Sequence, residues 1–142
     1  DMLEGSHRIW SRNAGRVLGI ARPAVSDHDY ISTLIAWRRE TVLAMCRHIE
    51  TATGRHWVRA IGKSRQFSEC MIYGRYVDEV GGGRDHFIGH EEFCRVHWTG
   101  EPMSDEAFRS FVNGMGEDQV AIGMQSFIGT DLGRIRRLLG AA

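Results

Sequence analysis

The sequence predicts a helix-rich α/β fold with few strands. Apolar residues recur every three or four positions through most of the chain, which is the spacing of amphipathic helices. One segment, residues 120–127, is instead a nearly continuous apolar run, as expected of a strand covered on both faces. With 42% hydrophobic and 25% charged residues, the 142-residue chain has the composition of a globular protein that buries a core.

Three helices are predicted in the first part of the chain. The first covers residues 3–19, and a loop follows it. The second covers residues 34–53, where apolar side chains at i, i+3, i+4 and i+7 form a stripe and Gly54 follows as a C′ residue. Residues 30–35 are equally compatible with a short strand entering this helix. The third helix, over residues 56–62, is short.

A central helix is predicted over residues 67–80. Two apolar stripes run along it, one beginning at Phe67 and the other at Ile72. A helix that is apolar on two sides is mostly buried. The three glycines at 81–83 end it with a turn.

The second half of the chain is predicted to mix short strands with two helices. Residues 86–98 indicate two short strands or an ordered loop. Ser104 is a suitable N-cap for a helix that ends near residue 113. After the strand at 120–127, Thr130 is expected to cap a last helix.

The apolar strand has few candidate partners in the sequence, and an unpaired strand leaves backbone groups unsatisfied. The chain also begins with Asp1 rather than Met. We therefore expect residues 1–142 to be a single domain or a fragment of a larger one.

Charge and cysteine content exclude several function classes. Lys and Arg together number 18, as do Asp and Glu, so the chain lacks the basic footprint of a general nucleic-acid binder or of a protein held to anionic lipid by charge. The cysteines, Cys46, Cys70 and Cys94, are odd in number and form no CxxC pair, which predicts reduced thiols in a cytoplasmic protein. No apolar run has the length of about 20 residues that spans a bilayer, and no signal peptide is recognised.

The segment Phe67-Ser68-Glu69 places an acid in the first turn of the predicted central helix. A carboxylate facing a cleft there could accept a proton from a sugar hydroxyl. On the pattern alone, a carboxylate that only complements the helix dipole is the favoured interpretation.

The segment Trp37-Arg38-Arg39-Glu40 puts two guanidinium groups beside an indole. Arginines can clamp phosphate, and a tryptophan can stack on a sugar. A packed Trp with Arg–Glu surface pairs is the favoured alternative on the pattern alone.

Two further patterns are metal-like but lack the context of a metal site. His, Glu and Cys side chains crowd residues 86–97 without the spacing of a zinc motif. Asp27-His28-Asp29 has Asp-x-Asp spacing but does not follow a buried strand, and we interpret it as a loop without metal.

Four segments in this order resemble a family of uncharacterised bacterial proteins related to nucleotide-sugar glycosyltransferases of the GT-A fold. The segments are Tyr30-Ile31 with Trp37–Glu40, Ile49–Trp57, Phe67–Val77 and Gln119–Ser126. The resemblance covers nearly the whole chain but only about the second half of the family's length.

The resemblance implies that the chain is the helix-rich, acceptor-side C-terminal part of a GT-A-like fold. The whole protein would transfer a sugar from a nucleotide-sugar donor to a glycan or lipid-linked acceptor, as in polysaccharide biosynthesis. The missing N-terminal half would carry the nucleotide site, the true Asp-x-Asp motif and its Mn²⁺ or Mg²⁺, so the chain alone should be inactive. The rival interpretation is a non-catalytic helical binding module.

The resemblance also implies a set of site residues. Glu69 matches the place of an acceptor-side catalytic acid, although Cys70 stands where the family usually has an aromatic residue. His97 is expected to complete the metal site from the C-terminal half, with a core histidine bonded to backbone as the favoured alternative. The expected substrate-binding residues are Trp37, Arg38, Arg39, Ser68, Tyr73 and Trp98.

Overall fold

A computed structural model of the protein describes residues 4–81, 83–87 and 89–140. It shows a helix-rich α/β protein with a two-stranded parallel sheet. The predicted positions Leu3, Gly82 and Ile88 lie outside the described residues.

The chain divides into two compact units. The helical unit consists of Asp1–Ile31 and Ala36–Gly89, and the sheet unit consists of Ser32–Ile35 and His90–Ala142. The four-residue insert belongs to the sheet unit. In that unit the single hydroxyl proton of Thr33 is shared between Oε2 of Glu92, at 2.7 Å, and the carbonyl of Cys94, at 3.1 Å.

The described residues of the helical unit form four α-helices and a π-helical turn that continues the last of them. They are α1 (Gly5–Leu18), α2 (Arg39–Thr53), α3 (Trp57–Gly62), α4 (Glu69–Arg75) and the π-turn (Tyr76–Val80). The four predicted helices of this part of the chain are thus confirmed. Gly54 ends α2 in the left-handed conformation, with φ of 64°, as its position predicted.

Helix α2 begins later than the predicted residue 34, and no strand forms over residues 30–35. Arg38 is the N-cap residue with extended backbone, at φ −83° and ψ 127°. Its N–H donates to the Tyr73 hydroxyl at 3.0 Å, so a tertiary hydrogen bond holds the chain extended up to this point.

The core of the helical unit forms where α1, α2, α3 and α4 meet. Its buried members are Ala14, Leu18, Met45, Ile49, Ala60, Met71, Ile72 and Tyr73. Burying each large aliphatic side chain contributes about 1.5–3 kcal/mol. The prediction of a buried central helix is confirmed for Met71, Ile72 and Tyr73, whereas Phe67 precedes α4 and is exposed.

Arg75 is fully buried at the end of α4. Its guanidinium is paired with the Glu79 carboxylate at 2.5 and 2.7 Å. It also donates to the carbonyls of Ser11 (2.7 Å), Pro23 (2.7 Å) and Ala24 (3.3 Å). All five N–H donors therefore have acceptors, and the side chain ties α1 and the loop after it to α4.

The sheet unit alternates strands and helices. Its elements are β1 (Cys94–His97), α5 (Asp105–Asn113), β2 (Ala121–Met124), a 3₁₀ turn (Ser126–Ile128) and α6 (Leu132–Leu138). Strands β1 and β2 are parallel, with Cys94 opposite Ala121 and His97 opposite Met124. Helix α5 lies in the connection that a parallel pair requires. Oγ of Ser104 accepts from the Ala107 N–H at 3.1 Å, so its predicted role as N-cap is confirmed.

Two predictions in the sheet unit were wrong in detail. The apolar run 120–127 is not a strand covered on both faces: β2 is half-buried, and Val120 and Phe127 beside it are each 75% exposed. Helix α6 is capped by Asp131 rather than Thr130, because Oδ1 of Asp131 accepts from two backbone N–H groups at 2.8 and 3.1 Å.

Within the described ranges, no helix combines the length and the apolar character needed to cross a membrane.

Candidate functional site

Tyr73 is the centre of a polar cluster in the helical unit. The residue is 5% exposed and belongs to the core, but its hydroxyl reaches two polar partners. It accepts from the Arg38 N–H at 3.0 Å and lies 2.8 Å from Nε2 of His86. One phenol thus connects the start of α2 with the loop after the π-turn.

The hydrogen bonds determine the tautomer of His86. Its Nδ1 lies 2.9 Å from the Arg84 carbonyl, which can only accept, so Nδ1 carries the proton. In the neutral imidazole, Nε2 is then an acceptor and receives the hydrogen bond of the Tyr73 hydroxyl. The direction of donation is therefore Arg38 to Tyr73 to His86.

Trp37 lies flat on Tyr73 at the edge of this cluster. The ring centroids are 5.2 Å apart with an interplanar angle of 14°, and Trp37 is 40% exposed. Beside it, Nη1 of Arg38 pairs with Oδ2 of Asp85 at 3.1 Å. We call Trp37, Arg38, Tyr73, Asp85 and His86 the Tyr73 cluster.

The sequence predicted three members of the Tyr73 cluster and missed Asp85 and His86. Asp85 has a φ of 62°, an uncommon conformation outside glycine that Asp adopts more readily than most residues. The available signal was the glycine-rich turn and the histidines after residue 85, which have a metal-like composition but no further pattern. Its loop position gave no periodicity from which a partner for Tyr73 could be inferred.

Ser68 and Glu69 open α4. Oγ of Ser68 accepts from the Met71 N–H at 3.4 Å, so this serine is the buried N-cap of α4. Glu69 is the first helical residue and is exposed. It lies one turn before Tyr73, which puts both residues on one face of α4.

Cys70 is a free thiol in the same turn. Burial is the main cause that raises the pKa of this thiol, and the negative charges of Glu69 and Asp29 raise it further. A nucleophilic cysteine needs the opposite shift, so this environment does not activate the thiol.

The Asp27–Asp29 loop does not present two free carboxylates for a metal. Oδ2 of Asp29 lies 2.6 Å from Nδ1 of His7, and its Oδ1 accepts from the Ile31 N–H at 3.0 Å. The His7 ring stacks on Trp10 with centroids 5.1 Å apart. The sequence pattern places His7 on the apolar face of the first helix, and it does not indicate the pair with Asp29, which lies 22 residues away.

The remaining predicted residues are Arg39 in the helical unit and His97 and Trp98 in the sheet unit. Arg39 is exposed at the first position of α2. In the sheet unit, Nε2 of His97 lies 3.2 Å from the Glu101 carbonyl and its ring meets the edge of Phe111, while Trp98 is 54% exposed. Over the described ranges, no three His, Cys, Asp or Glu side chains converge as a metal site would require.

A shallow cavity of about 170 Å³ lies between α5 and α6 in the sheet unit. It is lined by Phe108, Arg109, Val112, Asn113, Leu138 and Leu139. None of the predicted site residues contributes to this cavity.

Comparison with protein-family models matches residues 3–114 to a family of unknown function, DUF6492. The match covers most of the chain, and the chain belongs to this family. Neither the curated proteins nor the solved structures contain a match to the sequence.

Proposed function

We propose that this DUF6492 member is the acceptor-side part of a GT-A-like, nucleotide-sugar-dependent glycosyltransferase, and that the Tyr73 cluster holds the acceptor saccharide. The observation that supports it is the exposed Trp37 ring, held flat on Tyr73 beside the Arg38–Asp85 pair. A flat aromatic surface with a few fixed polar groups is the usual composition of a small-ligand site.

The aromatic and the charged side chains of the Tyr73 cluster suit the C–H face and the hydroxyl groups of a sugar ring, respectively. An indole face packs against the C–H face of a pyranose, and stacking on Tyr73 keeps it from rotating. Arg38 only donates hydrogen bonds and Asp85 only accepts them, so together they match adjacent hydroxyl groups that do both. Glu69, one turn away on α4, lies on the same face as Tyr73.

The donor side of the reaction is assigned to the part of the protein upstream of this chain. In this assignment the nucleotide-sugar and the Mn²⁺ or Mg²⁺ that such transferases use are bound by the N-terminal half of the protein, and His97 is the single candidate metal ligand that this chain would add. The three free cysteines favour action in the cytoplasm.

A non-catalytic carbohydrate-binding module is the second candidate function. The Tyr73 cluster supports it equally well, because stacking and the ion pair account for binding without chemistry. The two candidates differ in whether a sugar is transferred.

Binding is tested first, with the full-length natural protein on an array of bacterial glycans. We expect Trp37→Ala to weaken the strongest saccharide interaction at least tenfold, since it removes the stacking surface. Trp57→Ala is the matched control: Trp57 is 38% exposed and stacks on His56 in the same unit, but it is not part of the Tyr73 cluster. Equal binding by wild type and Trp37→Ala would contradict the saccharide site.

Transfer is tested second, by nucleoside diphosphate release from UDP- and GDP-sugars with Mn²⁺ and the bound glycan. Release that depends on the glycan and is lost in Trp37→Ala supports the transferase. Glycan binding without release from any donor supports the binding module instead.

A further inference from the structure

The helical unit holds a second ordered group of polar side chains, His7 and Asp29, which the Tyr73 cluster does not include. Resting on the transfer reaction proposed above, we propose that His7, oriented by Asp29, is the base that takes the proton from the acceptor hydroxyl. Glu69, the base expected from the sequence, then has no part in this proton transfer.

The geometry leaves one nitrogen of His7 available. A carboxylate oxygen accepts, so the proton between Oδ2 of Asp29 and Nδ1 of His7 belongs to the imidazole. In the neutral imidazole, Nε2 then carries a lone pair. A histidine whose far nitrogen is held by a carboxylate is the common arrangement of a general base.

Asp29 and His7 each make one further contact that holds the side chain in place. The Ile31 N–H donates to the other oxygen of Asp29 at 3.0 Å, and Trp10 stacks on the His7 ring at an interplanar angle of 26°. His7 itself is 40% exposed at its side chain, so a substrate can reach it. A base must be held within a fraction of an ångström of its productive position to be effective.

The dyad lies beside the helix that carries Tyr73. The Tyr30 ring packs directly against Gly74, so the segment around Asp29 runs along α4. Cys70, one turn before Gly74, experiences the charges of both Asp29 and Glu69. The dyad therefore lies near the face of α4 that carries Cys70 and Gly74, which adjoins the face that carries Glu69 and Tyr73.

Glu69 is less well held than His7. It is exposed, and across the described part of the chain no hydrogen bond or ion pair orients its carboxylate. Its position as the first residue of α4 is accounted for by the helix dipole.

The proposed step balances with the nucleotide-sugar as donor. The acceptor oxygen attacks the anomeric carbon and its proton moves to Nε2 of His7. The bond from the anomeric carbon to the phosphate oxygen breaks, and the nucleoside diphosphate leaves with the electron pair. The imidazolium, paired with Asp29, then returns its proton to water.

The test uses the full-length protein with the donor and acceptor glycan identified by diphosphate release. We expect His7→Gln to lower kcat at least a hundredfold with the acceptor KM within threefold of wild type, the usual scale for losing a general base. Asp29→Asn should give a smaller loss, and the loss of kcat in Glu69→Gln should be at least tenfold smaller than that in His7→Gln. His56→Gln is the matched control, an exposed histidine stacked on a tryptophan in the same unit.

Two additional measurements separate a base from a structural histidine. Added imidazole should restore part of the kcat of His7→Ala, which a packing role would not allow. Long-range ¹H–¹⁵N spectra should show His7 protonated at Nδ1 in wild type and lose that preference in Asp29→Asn.

A wild-type kcat in His7→Gln overturns the dyad and leaves the transferase standing, as does a hundredfold loss confined to Glu69→Gln. If wild type releases no diphosphate from any donor, the transferase itself fails and the dyad has no reaction to serve.

Discussion

Arg75 shows how a charged side chain is accommodated without solvent. A buried guanidinium is costly unless every donor is satisfied, and here one carboxylate and three carbonyls satisfy all five. The same packing explains Gly15 of α1, where a Cβ would lie 2.5 Å from Nη1 of Arg75. The arginine therefore acts as a cross-link among segments that are distant in sequence.

We expect Arg75→Met to lower the free energy of unfolding by about 3–5 kcal/mol, because it leaves the Glu79 carboxylate and the three carbonyls without their donor. Urea denaturation measures the change. Arg59→Met, at an exposed position on α3, should change stability by less than about 0.5 kcal/mol. Equal urea midpoints for Arg75→Met and wild type would show that the network contributes nothing.

At the scale of elements, the approach of the residue 30 segment to α4 depends on one glycine. A Cβ on Gly74 would overlap the ring and the Cβ of Tyr30, so only glycine leaves room for that ring on the helix. The contact positions Asp29 as well, since it precedes Tyr30 in the same segment.

Gly74→Ala is therefore expected to destabilise the helical unit by about 3 kcal/mol or more, at the upper end of overpacking effects, in spite of the better helix propensity of Ala. Gly62→Ala on α3 is the control, because a Cβ there meets nothing within 4 Å. The control should be neutral or slightly stabilising in thermal unfolding followed by circular dichroism. A Gly74→Ala variant as stable as wild type would contradict the packing of Tyr30 on α4.

The sequence predicted the helices better than it predicted the contacts between side chains that are distant in sequence. The 3.6-residue stripes in α1, α2 and α4 are local properties, and each of these helices forms where a stripe was seen. Pairs such as His7–Asp29 and Arg38–Asp85 join distant positions, and nothing in local periodicity encodes them. For the same reason Trp37, Arg38 and Tyr73 were expected at a site, but their contact through the Tyr73 ring and hydroxyl was not.

For the helical unit as a whole, the ionisation of the Tyr30 phenol makes the free energy of unfolding depend on pH in the alkaline range. Burial, with smaller effects from the hydrogen bond and charge of Asp78, raises the pKa of Tyr30 well above its ordinary value of 10.0. The folded state thus keeps the Tyr30 proton at a pH where the unfolded chain has lost it. The stability that the raised pKa of Tyr30 contributes is fully present below about pH 10 and decreases as the pH rises beyond it.

We expect the urea midpoint of wild type to fall between pH 10 and pH 11.5, and the fall to be smaller in Tyr30→Phe. At pH 7 the variant should be less stable by about 1 kcal/mol, because it loses the hydrogen bond to Asp78. The pKa values of Cys46 and Cys70 are also raised by burial, but both thiols are present in both proteins and cancel in the comparison. Parallel pH profiles would show that Tyr30 does not carry the alkaline sensitivity.

Because of the insert Ser32–Ile35, the residues of the two units alternate along the sequence. The polypeptide leaves the helical unit after Ile31, returns at Ala36 and leaves again after Gly89. Cleavage of the chain at one position cannot separate the two units intact. Cleavage after Gly89, for example, leaves Thr33 on the fragment that lacks its hydrogen-bond partners Glu92 and Cys94. Exchanging either unit for that of a homologous protein therefore requires three junctions in the chain, after Ile31, after Ile35 and after Gly89.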